Sequence, residues 1–157
     1  MVLDQQLLFA DKQVVTASAA ATNDIDLGPL TGGTGVNPFR DIGAGEPLWL
    51  FCAIGATTIL PGTATITVAL STDTDVAFGT PIALGNALAI PAGAVAGQLF
   101  AARLSPANYE RYLRATWTIG GGPLTAGALT LGIIWDANVW RAYASGFTTG
   151  IFGAQGA

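Results

Sequence analysis

The sequence predicts an all-β protein, an antiparallel β-sandwich of the jelly-roll type with an extended C-terminal arm. Three observations support this prediction. Apolar and polar residues alternate with a period of two in several segments, turns rich in Gly and Pro separate these segments, and a long helical period does not occur. Many short strands joined by such turns are typical of sandwiches and jelly rolls, in which two sheets bury their apolar faces against each other.

The clearest strands alternate threonine or charged side chains with apolar ones. Residues 63–70 and 111–119 both show this pattern, which predicts half-buried strands, and a third apolar stripe begins at Leu129. The residues predicted to face inward are Ala64, Ile66, Val68, Leu70, Leu113, Ala115, Trp117, Ile119, Leu129, Leu131, Ile133 and Trp135. Weaker strands are predicted at residues 13–16, 23–27, 81–84 and 98–104.

Residues 47–54 are apolar on both faces of the predicted strand. Such a strand is covered on both sides by sheet, by a loop or by a neighbouring subunit. We therefore predict a contact strand whose contact residues include Trp49 and Phe51.

The character of the sequence changes after Asp136, which predicts two parts: a sandwich domain over residues 1–136 and a C-terminal arm over residues 137–157. The second part mixes aromatic residues with Gly and Ala without clear periodicity, whereas disordered tails are usually polar and poor in aromatics. An arm that docks on another surface is predicted, and a final strand of the same domain is the alternative. The candidate contact residues of this part are Trp140, Arg141, Tyr143, Phe147 and Phe152.

The composition argues against catalysis and for association. The chain has no histidine, one cysteine and 10% charged residues, although 51% of it is hydrophobic. A Ser-His-Asp triad, a Cys-His pair and a histidine metal site are therefore excluded, and we predict that the protein is not an enzyme and needs no cofactor. Soluble domains carry about 25% charged residues, so burial against partner subunits is the expected role of this surface.

Nucleic acid and membranes are not predicted partners. The formal net charge is −4, whereas binding to nucleic acid depends chiefly on clustered Lys and Arg. The apolar runs are short and do not approach the roughly 20 residues that a membrane-spanning helix requires.

Two pairs of carboxylates are candidate sites. Asp73 and Asp75 could bind Ca²⁺ or act as a glycosidase pair, but a solvated turn whose side chains accept local backbone hydrogen bonds is the favoured interpretation. Asp24 and Asp26 are predicted to point to solvent as ordinary surface residues. Lys12 lacks the apolar pocket that would lower its pKa for covalent chemistry.

One cluster combines basic and aromatic side chains. Arg111 and Arg114 are interleaved with Tyr109 and Tyr112. Tyr and Arg are favoured at protein interfaces, so an interface is predicted here. A platform that stacks sugars and a plain exposed strand face are the alternatives.

Several segments, in their order and spacing, resemble one known family. These are residues 3–4, 9–11, 14–16, 25–28, 40–48, 68–73, 111–114 and 124–127, and the segments RDIGAGEPL (40–48) and RYLR (111–114) carry most of the resemblance. Residues 1–136 resemble the jelly-roll capsid cement, or decoration, proteins of tailed bacteriophages. The resemblance implies a homotrimer on the outer surface of the virion capsid that bridges neighbouring major capsid protein subunits.

The leading hypothesis is therefore a structural virion protein that stabilises a phage head. The alternative is a carbohydrate-binding jelly roll on a virion or cell surface. It would use Tyr109, Tyr112 or Trp140 to stack sugars, and Asp73 with Asp75 to bind Ca²⁺.

Overall fold

The computed structural model describes residues 4–28, 40–41, 48–55, 63–104, 107–122, 124 and 127–135. Within these ranges the chain forms a 3-10 turn at Gln5–Leu7 and a series of β-strands. The strands are β1 (Leu8–Val14), β2 (Ala19–Ala20), β3 (Ile25–Asp26), β4 (Arg40–Asp41), β5 (Trp49–Ile54), β6 (Thr65–Asp73), β7 (Ile82–Ile90), β8 (Leu99–Arg103), β9 (Asn108–Tyr109), β10 (Tyr112–Gly120) and β11 (Ala128–Ile134). The same ranges contain no helix with the length and hydropathy to cross a membrane.

The strands form two main antiparallel sheets. Sheet A has the order β1-β11-β5-β8, and sheet B has the order β2-β10-β6-β7, with β3 also paired to β10. The pairs are nested: β1 pairs with β11, β2 and β3 pair with β10, β5 pairs with β8, and β6 pairs with β7. A long hairpin rolled into two sheets has this pairing, which is the jelly roll. The predicted all-β sandwich of the jelly-roll type is confirmed.

The longest strands lie where the period-two pattern is strongest. In β6 and β10 the apolar residues lie buried between the sheets, and the register places Trp117 opposite Val68. Because side chains on a strand alternate between faces, the intervening threonines point to the outside of sheet B. The inward orientation predicted for Ile66, Leu113 and Ala115 is confirmed by their complete burial.

The space between the sheets is filled by one apolar cluster. Its largest members are Trp117, Tyr109, Phe9 and Leu50. Cys52 belongs to the same cluster, and burial raises the pKa of its thiol to about 12. The thiol is therefore protonated and shielded at neutral pH.

Two local predictions are wrong. The first strand begins at Leu8 and not at residue 13, because register shifts in its pairing with β11 interrupt the alternation, and Lys12 adopts a φ of 49°. Trp135 was predicted to face inward with Leu129, Leu131 and Ile133. Strand β11 ends at Ile134, however, and Trp135 follows it with 64% of its surface exposed.

Three short strands were not predicted. Strand β2 pairs with β10, and β4 pairs with β9 in a separate two-stranded sheet. Strands of two residues carry too little alternation to be recognised in a sequence. The predicted arm over residues 137–157 lies outside the described residues.

Candidate contact surface

The outer faces of the two sheets differ in chemistry. Sheet B exposes the hydroxyl groups of Thr65, Thr67, Thr116 and Thr118. The corresponding side of sheet A carries larger apolar side chains, most of them buried, together with the exposed Arg103 and the half-buried Thr130. The outer side of sheet B also exposes Ala69, Ala83 and Ala89, so the two sides differ in degree: sheet B presents more hydroxyl groups, and sheet A presents larger apolar side chains.

The apolar face of sheet A is built from the residues that alternate with its core residues. In β5 the side chains of Leu50, Cys52 and Ile54 face the interior, so the three intervening side chains face outward. Antiparallel register then places the opposing residues of β8 and β11 on the same side. The same side also carries Arg103, opposite Trp49, and Thr130, opposite Ala53. We call the apolar and small residues of this side the apolar face: Leu8, Trp49, Phe51, Ala53, Leu99, Ala101, Gly132 and Ile134.

A second hydrophobic cluster lies at the centre of the apolar face. It contains Leu8, Phe51 and Ile134, with Trp49 packed against it. Phe51 has no exposed surface, whereas Leu99 on the neighbouring strand is 44% exposed. The cluster is thus a packed patch with an exposed apolar margin.

Gly132 permits this cluster to close. A Cβ atom at this position would lie 2.7 Å from the carbonyl oxygen of Leu7 and 2.8 Å from side-chain carbons of Leu8 and Phe51. These separations are well below van der Waals contact. Any side chain at residue 132 would therefore push the cluster apart or displace the chain at the start of β1.

Two residues that the sequence suggested as contact residues are buried in the subunit. Phe51 lies inside the second cluster, and Tyr109 lies in the main core with no exposed surface. Neither side chain is available to a partner in this structure, and Tyr109 is not available to stack on a sugar. Trp49 is half-buried on the apolar face, where a contact is possible. Trp140, Arg141, Tyr143, Phe147 and Phe152 lie outside the described residues.

The arginines of β10 and of the turn before it form ion pairs within the subunit. Arg114 binds Asp24 through two hydrogen bonds, Nε to Oδ1 at 2.8 Å and Nη2 to Oδ2 at 2.6 Å. Arg111 binds Asp26 in the same bidentate way, at 3.0 and 2.9 Å. The bonds to these carboxylates raise the pKa of both guanidinium groups. Tyr112 is half-buried, with the Arg111 guanidinium 4.8 Å from its ring centroid.

Arg114 also holds the loop between β6 and β7. Its guanidinium lies 3.9 Å from the ring centroid of Phe78, and its Nη2 donates to the carbonyl of Val76 at 3.3 Å. Phe78 adopts a φ of 52°, a conformation that bulky residues rarely occupy. The cation–π contact is therefore one of the interactions that maintain an unfavourable backbone.

The carboxylate of Asp73 organises the same loop from inside. Its Oδ1 accepts the N–H of Asp75 at 3.0 Å, and its Oδ2 accepts the N–H of Thr80 at 3.0 Å. Asp75 in turn accepts the N–H of Ala77 at 3.0 Å. The predicted turn, with carboxylates that accept local backbone hydrogen bonds, is confirmed, but the prediction that it is solvated is wrong for Asp73, which is 2% exposed. Within the described ranges, acidic and cysteine side chains form no group of three that could hold a metal ion.

The hydrogen bond from the N–H of Asp75, followed by smaller contributions from hydrogen bonds with Thr80 and Thr74, lowers the pKa of Asp73. A carboxylate with a lowered pKa in the folded state stabilises the protein fully above its unfolded pKa of about 3.9, and this contribution is lost as the pH falls through the folded value. We expect the urea midpoint to fall between pH 7 and pH 2, and to fall less in Asp73→Asn, which has no carboxylate to titrate. An equal fall in both proteins would contradict this assignment.

Sequence reasoning missed two features of this surface. The prediction that Asp24 points to solvent is wrong, because its side chain is 18% exposed and bound by Arg114. The pairing of Arg111 and Arg114 with Asp26 and Asp24 joins residues more than 80 positions apart, so local spacing could not show it. The apolar face was recognised only in β5. The outward residues of β8 are Leu99, Ala101 and Arg103. They gave only a weak signal for the part of the face outside β5, because only two of the three are apolar and one of these is small.

Comparison with known proteins adds a family. The sequence matches the model of the Bbp16 family over residues 9–133, which is most of the chain. The protein belongs to the Bbp16 family. No curated protein matches the sequence significantly.

The part that matches the Bbp16 family begins inside β1 and ends inside β11. It therefore includes strands of both sheets and most of the apolar face. Trp135 and the sequence that follows it lie outside the part that matches the Bbp16 family.

Proposed function

We propose that this protein is a structural capsid cement, or decoration, protein. It binds the outer surface of a phage head and bridges neighbouring major capsid protein subunits. Its task is mechanical, because interface buried on the assembled shell lowers the free energy of that shell relative to its separated parts. The proposal includes no catalytic step and no cofactor, and it places the protein on the virion surface after assembly in the host cytoplasm.

The contrast between the two outer faces is the observation that carries this proposal. Exposed apolar residues beside a packed apolar cluster are typical of contact sites, and the exposed part of this face is the side of β8 that carries Leu99 and Ala101, since Phe51 is already buried within the subunit. Leu99 on this face is 44% exposed. The threonines of sheet B, by contrast, suit the side that remains in water. We therefore propose that sheet A faces the shell and sheet B faces solvent.

The resemblance to cement proteins supports the proposal in a different way. Its RYLR segment is residues 111–114, and both arginines bind aspartates of residues 24–26 within the subunit. The segment is thus explained by the fold, and the contact with the shell does not depend on it. The resemblance supports the jelly roll and the class of protein, whereas the apolar face identifies the contact surface.

The size of the apolar face favours an oligomer. Four strands spaced about 4.8 Å apart and about 20 Å long form a flat footprint of roughly 400 Å². A stable interface buries about 800 Å² on each partner. A single face is therefore a weak site, and a homo-oligomer, as a trimer in our proposal, would engage several sites at once and gain avidity without new contacts.

A charge placed on the apolar face tests the proposal. Ala101 is exposed on the outer side of β8, opposite Phe51. We expect Ala101→Glu to weaken binding at least about tenfold, since a buried carboxylate must lose its hydration. Binding is measured by co-sedimentation with empty shells of the major capsid protein encoded by the same genome.

Thr118→Glu is the matched control, because it adds the same charge to an exposed position on sheet B. It should bind shells as the unmodified protein does. Loss of binding in the control alone would place the contact on sheet B, and failure of the unmodified protein to bind any shell would overturn the proposal. Binding to a glycan array that is abolished by a chelator would support the carbohydrate-binding alternative.

A further inference from the structure

Strand β8 forms a regular edge of the sandwich. Sheet A ends at β1 and β8, and sheet B ends at β7 on one side and at the two-residue strands β2 and β3 on the other. Register shifts interrupt the pairing of β1 and of β7, with positive φ angles at Lys12 and Gly85. Bulges and very short strands usually protect a sheet edge from pairing with another chain. Among the described edge strands longer than two residues, β8 alone pairs with its neighbour in unbroken register, from Leu99 to Arg103.

Hydrogen bonds at both ends of β8 show which of its backbone groups are bound to β5. The N–H of Leu104 donates to the carbonyl of Leu48 at 2.9 Å, and the N–H of Ile54 donates to the carbonyl of Gln98 at 2.9 Å. In an antiparallel pair, every second residue exchanges hydrogen bonds with the neighbouring strand. The even-numbered residues of β8 therefore bond to β5, and the N–H and C=O groups of the odd-numbered residues point away from it.

The outward-pointing backbone groups belong to Leu99, Ala101 and Arg103, and all three residues are exposed. Strand β8 pairs with β5 alone, and the hydrogen bonds among the described residues do not use these groups. A regular edge with free donors and acceptors at alternate residues can take a further strand, which gains affinity from main-chain hydrogen bonds. The edge of β8 therefore fits an extended segment of another chain.

Arg103 indicates the chemistry of such a segment. The ion pairs among the described residues are those of Arg111 and Arg114, so Arg103 has no carboxylate partner there. A strand added at this edge places one of its side chains directly beside Arg103, on the same side of the sheet. An Asp or Glu at that position would form a cross-strand ion pair, and an apolar residue beside Leu99 would cover a side chain that is 44% exposed.

We propose that β8 binds an extended segment of the major capsid protein, which joins sheet A as a further strand with an Asp or Glu beside Arg103. Main-chain hydrogen bonds supply affinity and fix the register, and the side chains beside Arg103 and Leu99 supply specificity. Ala101, at the centre of β8, is small and leaves room for the side chain beside it. The identity of the partner rests on the proposed function, whereas the free edge does not.

A second copy of β8 complements this edge less well. An antiparallel pair centred on Ala101 places Arg103 of each copy beside Leu99 of the other, so neither guanidinium gains a carboxylate. A shift of register that brings the two arginines together places like charges directly opposite each other, which destabilises the pair. A capsid segment has a different sequence and can supply the missing carboxylate.

Hydrogen exchange of the full chain, with and without empty shells, tests the pairing. Shells should slow exchange of the amides of Leu99, Ala101 and Arg103 at least about tenfold, because each gains an acceptor. The amides of Phe100 and Ala102 should change less, since β5 already protects them. Exchange is measured residue by residue by mass spectrometry with electron-transfer fragmentation.

The outcomes separate this inference from the proposed function. Unchanged exchange in β8, or equal slowing at all its residues, in a protein that binds shells would overturn the strand pairing and leave the proposed function intact. The alternating pattern in the absence of shells, growing with protein concentration, would assign the edge to a second copy and overturn the proposal. A protein that binds no shell would overturn the proposed function and the partner named here.

Ala101→Pro tests the backbone contribution directly. Proline has no N–H, and the N–H of Ala101 does not face β5, so the bonds within sheet A remain while the edge loses a donor. We expect shell binding to weaken at least about tenfold. Ala101→Val is the matched control, because its side chain is similar in size to the proline ring and its N–H is kept. Equal losses in the two variants would show a contact through the side chain and would overturn the pairing.

Arg103→Glu tests the charge of the segment. It should weaken shell binding at least about tenfold, because it places two carboxylates beside each other, whereas Arg103→Lys should bind within about threefold of the unmodified protein. Added salt should weaken binding of the unmodified protein more than binding of Arg103→Gln, since salt screens the ion pair. Unchanged binding of Arg103→Glu, or the same dependence on salt in Arg103→Gln, would overturn the assignment of an acidic segment.

Discussion

Replacing Trp117 with alanine should lower the free energy of unfolding by about 3–5 kcal/mol, the usual cost of removing a large aromatic side chain from a core. Trp117 is the largest of the fully buried residues, with 2% of its surface exposed. Its strand pairs with β6 on one side and with β2 on the other. The cavity would therefore open at the centre of the sandwich, where neighbouring strands cannot easily collapse. Urea unfolding followed by circular dichroism measures the change.

Trp117→Phe is the conservative control for this prediction. The Trp117 indole Nε1 donates a hydrogen bond to the carbonyl of Ala17 at 2.9 Å. Phenylalanine fills most of the volume but leaves that carbonyl without its donor, so a cost of about 1–2 kcal/mol is expected. If the alanine variant does not fold, the phenylalanine variant still reports on the site. A cost below about 0.5 kcal/mol for both variants would show that the core does not depend on this residue.

The sandwich could be predicted because its long strands obey a local rule. In β6 each inward apolar residue is separated from the next by one outward residue, and the same is true of β10. The two strands are paired over nine positions, from Tyr112 with Asp73 to Gly120 with Thr65. Register in such a pair is fixed because a slip of one residue would move every apolar side chain into water. Local alternation and tertiary burial therefore agree there.

Prediction failed where burial depends on distant parts of the chain. Tyr109 precedes the alternating stretch of β10 and looked like an exposed neighbour of Arg111, but it belongs to β9 and is completely buried in the core. Lys12 breaks the alternation of β1, which hid the first half of that strand. Nothing within a few residues of either position specifies these outcomes.

Part of the proposed contact surface could be predicted, because one of its strands has a local pattern that is visible in the sequence. The strand at residues 49–54 is apolar on both sides, and that property is visible in the sequence. The partners of Phe51 on the outer side are Ala101 and Gly132, which are small. Small residues carry no hydrophobic signal of their own, although they determine how closely the cluster around Phe51 packs. The face can therefore be recognised only when the register of the neighbouring strands is known.

Arg114→Ala should be the more damaging of two similar substitutions in and beside β10. The Arg114–Asp24 pair is partly buried, with side-chain exposures of 27% and 18%, whereas those of the Arg111–Asp26 pair are 42% and 43%. Removing Arg114 leaves a poorly solvated carboxylate without its partner and frees the loop at Phe78, so a loss of about 2–3 kcal/mol is expected. Arg111→Ala should cost less, because water screens an exposed pair. Urea unfolding of both variants gives the comparison.

A double-mutant cycle separates the ion pair from the contact with the loop. Asp24→Ala removes the carboxylate and leaves Arg114 over Phe78, while Phe78→Ala removes the ring and leaves the ion pair. Coupling of Arg114 to Asp24 should exceed its coupling to Phe78, because a bidentate charged pair is stronger than one cation–π contact. The reverse order would mean that Arg114 serves mainly to hold the loop. Equal losses for the Arg111 and Arg114 substitutions would contradict the argument from burial, since the two pairs share the same bidentate geometry and differ chiefly in their access to water.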